Sequence, residues 1–166
     1  MAAEAPVLIK AIAVAPKVDA AKVVGTVLLD HAERHRRRII LSTEEGLPFL
    51  LDLRKAVAIR GGEGLVLEDG QVVAVLAKPE LLMEIRARSP LHLARLAWHI
   101  GNRHLAAEIR PDAILILPDH VIAEMLRGLG ADVRDVTAAF EPEGGAYAAH
   151  VHLTETASAT SGHGPR

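Results

Sequence analysis

The 166-residue chain predicts an α+β protein: a small all-β N-terminal domain, a ferredoxin-like βαββαβ domain, and a flexible tail. Three observations carry this reading. Short Val-, Ile- and Leu-rich runs separated by turn residues fill the first half, and the hydrophobic period changes after Lys78-Pro79. From Glu141 onward the chain is rich in Gly, Ala, Ser and Thr and has little to bury. The predicted divisions are therefore 1–78, 79–140 and 141–166. Half the residues are hydrophobic, enough for a real core in each folded part.

In the first division, "VLIKAIAVA", "VVGTVLLD", "RIILST", "LPFLLDL" and "AVAIR" read as strands. "LVLEDGQVVAV" reads as a hairpin in which Asp69-Gly70 supplies the positive φ angles. In the second division "ELLMEIRA" is a strand. Ser89-Pro90 then supplies the N-cap and first position of a helix, "LHLARLAWHI", with Gly101 as the residue just past its end. "LAAEI" and "AILIL" are strands broken at Arg110-Pro111-Asp112. Asp119 caps a second helix, "HVIAEMLRGL", that stops at Gly130, and "ADVRDV" is the last strand. The order is the split-βαβ arrangement.

Composition excludes several function classes. The formal net charge is −2, with ten Lys/Arg against ten Asp/Glu in residues 1–77 and nine against eleven in 78–166. No half has the positive footprint of a nucleic-acid binder, and four aromatics (Phe49, Trp98, Phe140, Tyr147) are too few for a base-stacking platform. The charge run "DHAERHRRR" (Asp30 to Arg38) is broken by acidic residues and reads as a solvated edge or hairpin. Cysteine is absent, so any metal must be held by imidazole and oxygen. No apolar run has bilayer length, and "MAAEAPVLIK" lacks the build of a signal peptide, which points to the cytoplasm. No nucleophile elbow, phosphate-binding glycine loop or zinc-protease helix occurs, and no enzyme is expected.

The histidines are the informative residues. On the first helix His92, Arg95 and His99 form one narrow stripe among apolar neighbours. The apolar surface left over is wider than a two-layer domain needs, so part of it is expected to meet a second copy in a twofold homodimer. His92 is expected to be simply exposed, and His99 to serve packing or the dimer surface. His104 follows that helix. It is either a loop histidine favoured by the partial negative charge of the helix end or a ligand of a cation held in the same field; spacing alone favours the first. His120, in the first turn of the second helix, is either solvated or a ligand kept in the neutral, metal-binding form by the helix dipole. His150-Val151-His152 places alternate side chains on one side of an extended segment, so the pair can complete a site begun by His104.

"GNRH" (Gly101 to His104) after an apolar helix resembles the signature of the UreE family, urease accessory proteins that carry nickel. The likeness runs in order through "ERHRRRIILSTEEGLPFLLDL", "EDGQVVAV", "PELLMEIRA", "LPDHVIAEMLRGLG" and "FEPEGGAY". The resemblance implies a β-rich N-terminal domain similar to chaperone peptide-binding domains and a ferredoxin-like domain that dimerises head to head. It further implies that His104 meets its symmetry mate to bind Ni²⁺, for which Zn²⁺ or Cu²⁺ can substitute in vitro, with tail histidines assisting. Partners implied are apo-urease and the GTPase UreG. Unlike members with polyhistidine tails, this chain offers only His150, His152 and His163 there, which argues against large storage capacity. Pro118 stands where some relatives carry a histidine, which argues against a separate site at His120. The competing reading is a non-metal, peptide-binding or protein-interaction module.

Overall fold

The computed structural model describes residues 8–144, and the α+β class expected from sequence is observed. The N-terminal region forms one six-stranded sheet from β1 (Lys10–Ala15), β2 (Val23–Leu29), β3 (Arg38–Ser42), β4 (Pro48–Asp52), β5 (Gly64–Leu67) and β6 (Val72–Ala77), in the order β2-β6-β5-β1-β4-β3. Two pairings, β1 with β4 and β2 with β6, are parallel, so the sheet is not a simple run of hairpins. Strand alternation turns Phe49 and Leu51 of β4, Leu65 and Leu67 of β5, and Val73 and Val75 of β6 into one interior with Ala11 and Val27.

Three local expectations fail here, each for a physical reason. "AVAIR" (residues 56–60) is not a strand. Ile59 is buried and Val57 packs on the core, so the apolar pattern reports burial rather than sheet pairing. Its backbone bonds to Arg34 instead: the Ile59 N–H donates to the Arg34 carbonyl at 3.0 Å, and the Ile59 carbonyl accepts from Arg34 Nη1 at 3.3 Å. "DHAERHRRR" is not uniformly solvated. Glu33–His35 form a 3-10 turn that buries Arg34 to 1 % exposure while Arg36, Arg37 and Arg38 stay in solvent. At the β5–β6 turn only Gly70 takes a positive φ, +84°. Asp69 contributes differently, its Oδ1 accepting the Gln71 N–H at 3.0 Å.

The second region folds as β7 (Pro79–Arg86), α1 (Pro90–Gly101), β8 (Ala107–Ile109), β9 (Ala113–Ile116), α2 (His120–Gly128) and β10 (Asp132–Ala139). The sheet order is β10-β7-β9-β8 with every neighbour antiparallel, which is the ferredoxin-like arrangement. Both caps behave as the sequence predicts. Ser89 Oγ accepts from the His92 N–H at 3.1 Å, and Asp119 Oδ1 accepts from Val121 and Ile122 at 2.9 and 3.1 Å. α2 ends in a Schellman turn: the Gly130 N–H (φ +83°) bonds the Arg127 carbonyl at 2.9 Å and the Ala131 N–H the Leu126 carbonyl at 3.0 Å. Leu96 and Ile100 of α1 and Ile122 and Leu126 of α2 pack on Met83, Ile85, Ile114 and Ile116, the helix-facing side of the sheet. No helix of the described residues is long and apolar enough to cross a membrane.

The opposite sheet face is closed by the chain leaving β10. Phe140 is buried against Leu82 and Leu115. Arg34, from the 3-10 turn between β2 and β3, meets it there: its guanidinium donates to the Phe140 carbonyl and, at 3.0 Å, to Glu141 Oε1, which also accepts the Gly61 N–H at 2.8 Å. His31 sits beside this contact, edge-on to Phe140 at 5.0 Å and to His35 at 4.4 Å between ring centroids. Its backbone N–H donates to Glu80 Oε1 at 2.8 Å, while its Nδ1 is buried with no partner among the described residues.

Burial, then the neighbouring His35 and Arg34, hold His31 below the ordinary imidazole value, and Asp30 and Glu141 pull the other way less strongly. In the unfolded chain the group titrates at 6.5, so on acidification the unfolded state takes up protons first. Stability is then full above that pH and falls as the pH drops toward the lower folded value. Thermal unfolding across this range is expected to show the loss, and His31→Gln is expected to flatten its slope even if it lowers the overall level.

Candidate metal centre

The last turn of α1 does not end where its glycine suggests. Gly101 is still helical, Asn102 is the C-cap with ordinary right-handed φ and ψ (−64°, −13°), and the chain tightens through 3.0 Å bonds from Arg103 to the Ile100 carbonyl and from His104 to the Gly101 carbonyl. The left-handed residue that lets the chain leave is His104 itself, at φ +56°. Among the described residues it is the only non-glycine with positive φ. Histidine tolerates that region better than most side chains, yet the conformation still costs of order 1 kcal/mol. α2 meets the same stereochemical need with Gly130. His104 is exposed, and its ring makes no hydrogen bond among the described residues. Arg103 already occupies part of the helix-end field, donating from Nη1 to the His99 carbonyl at 2.8 Å.

The sheet register places the other candidates. Ala107 of β8 lies opposite Ile116 of β9, so the entry to β8 and the exit from β9 share one end of the sheet. His104 lies just before the first and His120 just after the second. Among the described residues no group of three or more His, Asp or Glu side chains is arranged to hold a metal ion. His120 lines a shallow depression of its own with Asp119, Asp135 and Arg127. His92 departs from the expected exposed residue. The Arg88 N–H donates to its Nδ1 at 3.1 Å, and its Nε2 bonds the Leu129 carbonyl at 3.0 Å, so it ties the start of α1 to the end of α2. His99 is half-buried and edge-on to Trp98 at 5.0 Å.

His150 and His152 lie outside the described residues, but the root of their segment does not. The Glu143 N–H donates to the Ala107 carbonyl at 2.8 Å, and the Glu141 N–H to Glu108 Oε2 at 2.8 Å. The chain therefore departs beside the first residue of β8, three positions after His104. His150 and His152 follow Gly144 by six and eight residues. Extended backbone of those lengths spans up to roughly 20 and 27 Å. Sequence spacing could not have revealed this proximity, because the contact joins the middle of the second region to the chain that leaves its last strand.

The outward face of α1 is apolar where solvent would favour charge. Leu91 and Trp98, seven residues apart, are 62 % and 65 % exposed, with Ala94 and Arg95 between them. This stripe runs along the helix toward His104.

Residues 8–78 match the family model described as UreE urease accessory protein, N-terminal domain, and residues 80–165 the one described as its C-terminal domain. The urease accessory protein UreE of Chelativorans sp. (strain BNC1) is 54 % identical over 145 residues, covering 87 % of this chain and 90 % of that protein. That of Rhodopseudomonas palustris (strain HaA2) is 57 % identical over 123 residues, covering 74 % of this chain. That of Bradyrhizobium sp. (strain ORS 278) is 55 % identical over 129 residues, covering 76 % of this chain. The chain spans only 57 % and 61 % of the length of these last two.

The left-handed backbone at His104 separates its structural cost from its chemistry. His104→Gly and His104→Ala both remove the imidazole, but only glycine relieves the strain. The glycine variant is expected to be the more stable of the two by about 1 kcal/mol in denaturant unfolding. Equal stability would mean that the turn relaxes out of the left-handed region.

Proposed function

The chain belongs to the UreE family of urease accessory proteins, and from that premise we propose that it is a homodimeric carrier of Ni²⁺ for assembly of the urease active site. His104 from two protomers forms the central seat, and His150 or His152 completes it. The observation that carries this reading is the strained, exposed, unengaged ring of His104. A backbone cost retained where glycine would be easier points to a task for the side chain. The tail root beside β8 and the apolar stripe leading to His104 support the two further parts, a tethered ligand pair and a second copy. In this reading His120 stays outside the shared seat, in its own depression with Asp119, Asp135 and Arg127.

The donor chemistry suits cargo that must be given up. Ni²⁺ accepts imidazole and oxygen, and without thiolates the site holds it with moderate affinity. Imidazole must be neutral to bind, so affinity falls on acidification. The same donors do not choose nickel over copper or zinc by raw affinity, because the Irving–Williams order favours copper. Choice of metal then rests on supply and on partners, proposed to be apo-urease and the GTPase UreG.

A second reading, a protein-interaction module, has one observation in its favour. β1 pairs with β4 only through Lys10 and Ala11, and beyond them a cleft of about 750 Å³ opens between Ile12–Val14 and residues 52–58. Titration calorimetry separates the two. The wild-type chain is expected to bind about one Ni²⁺ tightly per dimer, His104→Ala to lose that binding, and a chain ending at Gly144 to bind more weakly but remain dimeric. Unchanged tight binding in His104→Ala would remove His104 from the seat, and no tight Ni²⁺ binding by the wild-type chain would remove the carrier reading and leave the second. Trp98→Glu places a charge in the proposed dimer face and is expected to sediment as a monomer and lose the tight site, since each protomer then holds only half of it.

A further inference from the structure

The contact between the two regions holds a titratable ring that fits it only in the neutral form. His31 shares one turn of chain with Arg34, closed by the Arg34 N–H bond to the Asp30 carbonyl at 3.1 Å. Its Nδ1 is buried with no partner among the described residues, so a proton added there would create a charged donor with nothing to receive it. The Arg34 guanidinium and the His35 ring, on the same turn, both oppose a further positive charge. Four carboxylates surround the ring, and each is already engaged elsewhere. Asp30 Oδ1 accepts the Glu33 N–H and Glu33 Oε2 the Asp30 N–H, both at 2.9 Å. Glu80, from β7, accepts the backbone N–H of His31, and Glu141, from the chain after β10, is held by Arg34 and Gly61. The remaining neighbour is the Phe140 ring, which offers no acceptor for an imidazolium as good as water.

We propose that His31 is a proton-operated latch: when its ring takes up a proton, the contact between the two regions opens while each sheet stays folded. The charged ring reaches water only by leaving Phe140. Because it shares a turn with Arg34, its withdrawal disturbs the guanidinium that holds the Phe140 carbonyl and the Glu141 carboxylate. In the opened state the ring titrates at its ordinary 6.5, and in the closed state lower. Closure is therefore complete above that pH and weakens below it, by at most about tenfold per pH unit until the closed-state value is reached. The loss of stability on acidification then has a local first stage, in which the regions part before either core melts.

Amide hydrogen exchange of the full chain at pH 7.5 and pH 5.5, corrected for the intrinsic pH dependence of exchange, reads the opening. The probes are the amides at positions 31 and 61, which bond Glu80 and Glu141 across the contact. The references are the amides of Val73 and Ile114, inside the two sheets. Opening at the probes is expected to rise by up to about tenfold at pH 5.5 while the references keep their protection. His31→Phe keeps an aromatic ring beside Phe140 and cannot take up the proton, so its probes are expected to show equal opening at both pH values. His31→Gln serves the same purpose where His31→Phe does not fold. Equal rises at probes and references would mean global unfolding alone and overturn the proposal. A rise that persists in the substituted chain would assign the proton to another group, and a rise below about twofold in the wild-type chain would leave no latch; either result also overturns it.

Discussion

A guanidinium removed from water must have its charge and its donors answered, and the joining of the two sheets depends on how Arg34 meets that demand. Desolvating the group is costly, and the cost is offset only by good geometry and a full set of acceptors. Arg34 finds a carboxylate and two carbonyls, though its Nε remains without a partner among the described residues. Those acceptors come from both regions, Ile59 from the first and Phe140 and Glu141 from the second. The same contact covers Leu82 and Leu115, which would otherwise face solvent on the side of the sheet that has no helices. Docking of the regions and closure of the second core are therefore one event.

Much of the second region was legible before any coordinates. Ser89 and Asp119 announce helix starts by a local mechanism, an oxygen positioned over free amides, and local mechanisms survive folding unchanged. Gly130 is legible for the same reason. Gly101 misleads because the pattern of a helix followed by glycine is right in outline, while the left-handed position falls three residues later on a side chain few would place there. In the first region the run holding Val57 and Ile59 predicts a strand, and the structure packs both side chains on the core without one. Periodicity reports which side chains face inward, and it is silent on which partner takes the backbone hydrogen bonds.

The candidate site was legible only in parts. His104 stood out through its place at a helix end, and the tail pair through its alternation. That Glu143 lies beside Ala107 depends on a contact between segments distant in sequence, and Arg34 is indistinguishable in sequence from its exposed neighbours Arg36 to Arg38. A histidine with two free-standing roles, such as His92, likewise looks exposed until both ring nitrogens are seen to be engaged. The site as proposed, shared between copies and completed by a tether, would leave little trace in local spacing, because no single segment would carry it.

Synthesis on the ribosome runs from the N-terminus, and regions generally fold as they emerge. Arg34 is therefore made long before the residues that receive its charge, and the first sheet forms with that guanidinium still hydrated. Only when Phe140 and Glu141 emerge can the ion leave water and the second sheet lose its bare apolar face. The junction thus reports completion of translation through the last strand. A nascent chain released short of that point would carry an unsatisfied arginine and an open hydrophobic surface, the features by which chaperones and proteases recognise unfinished products.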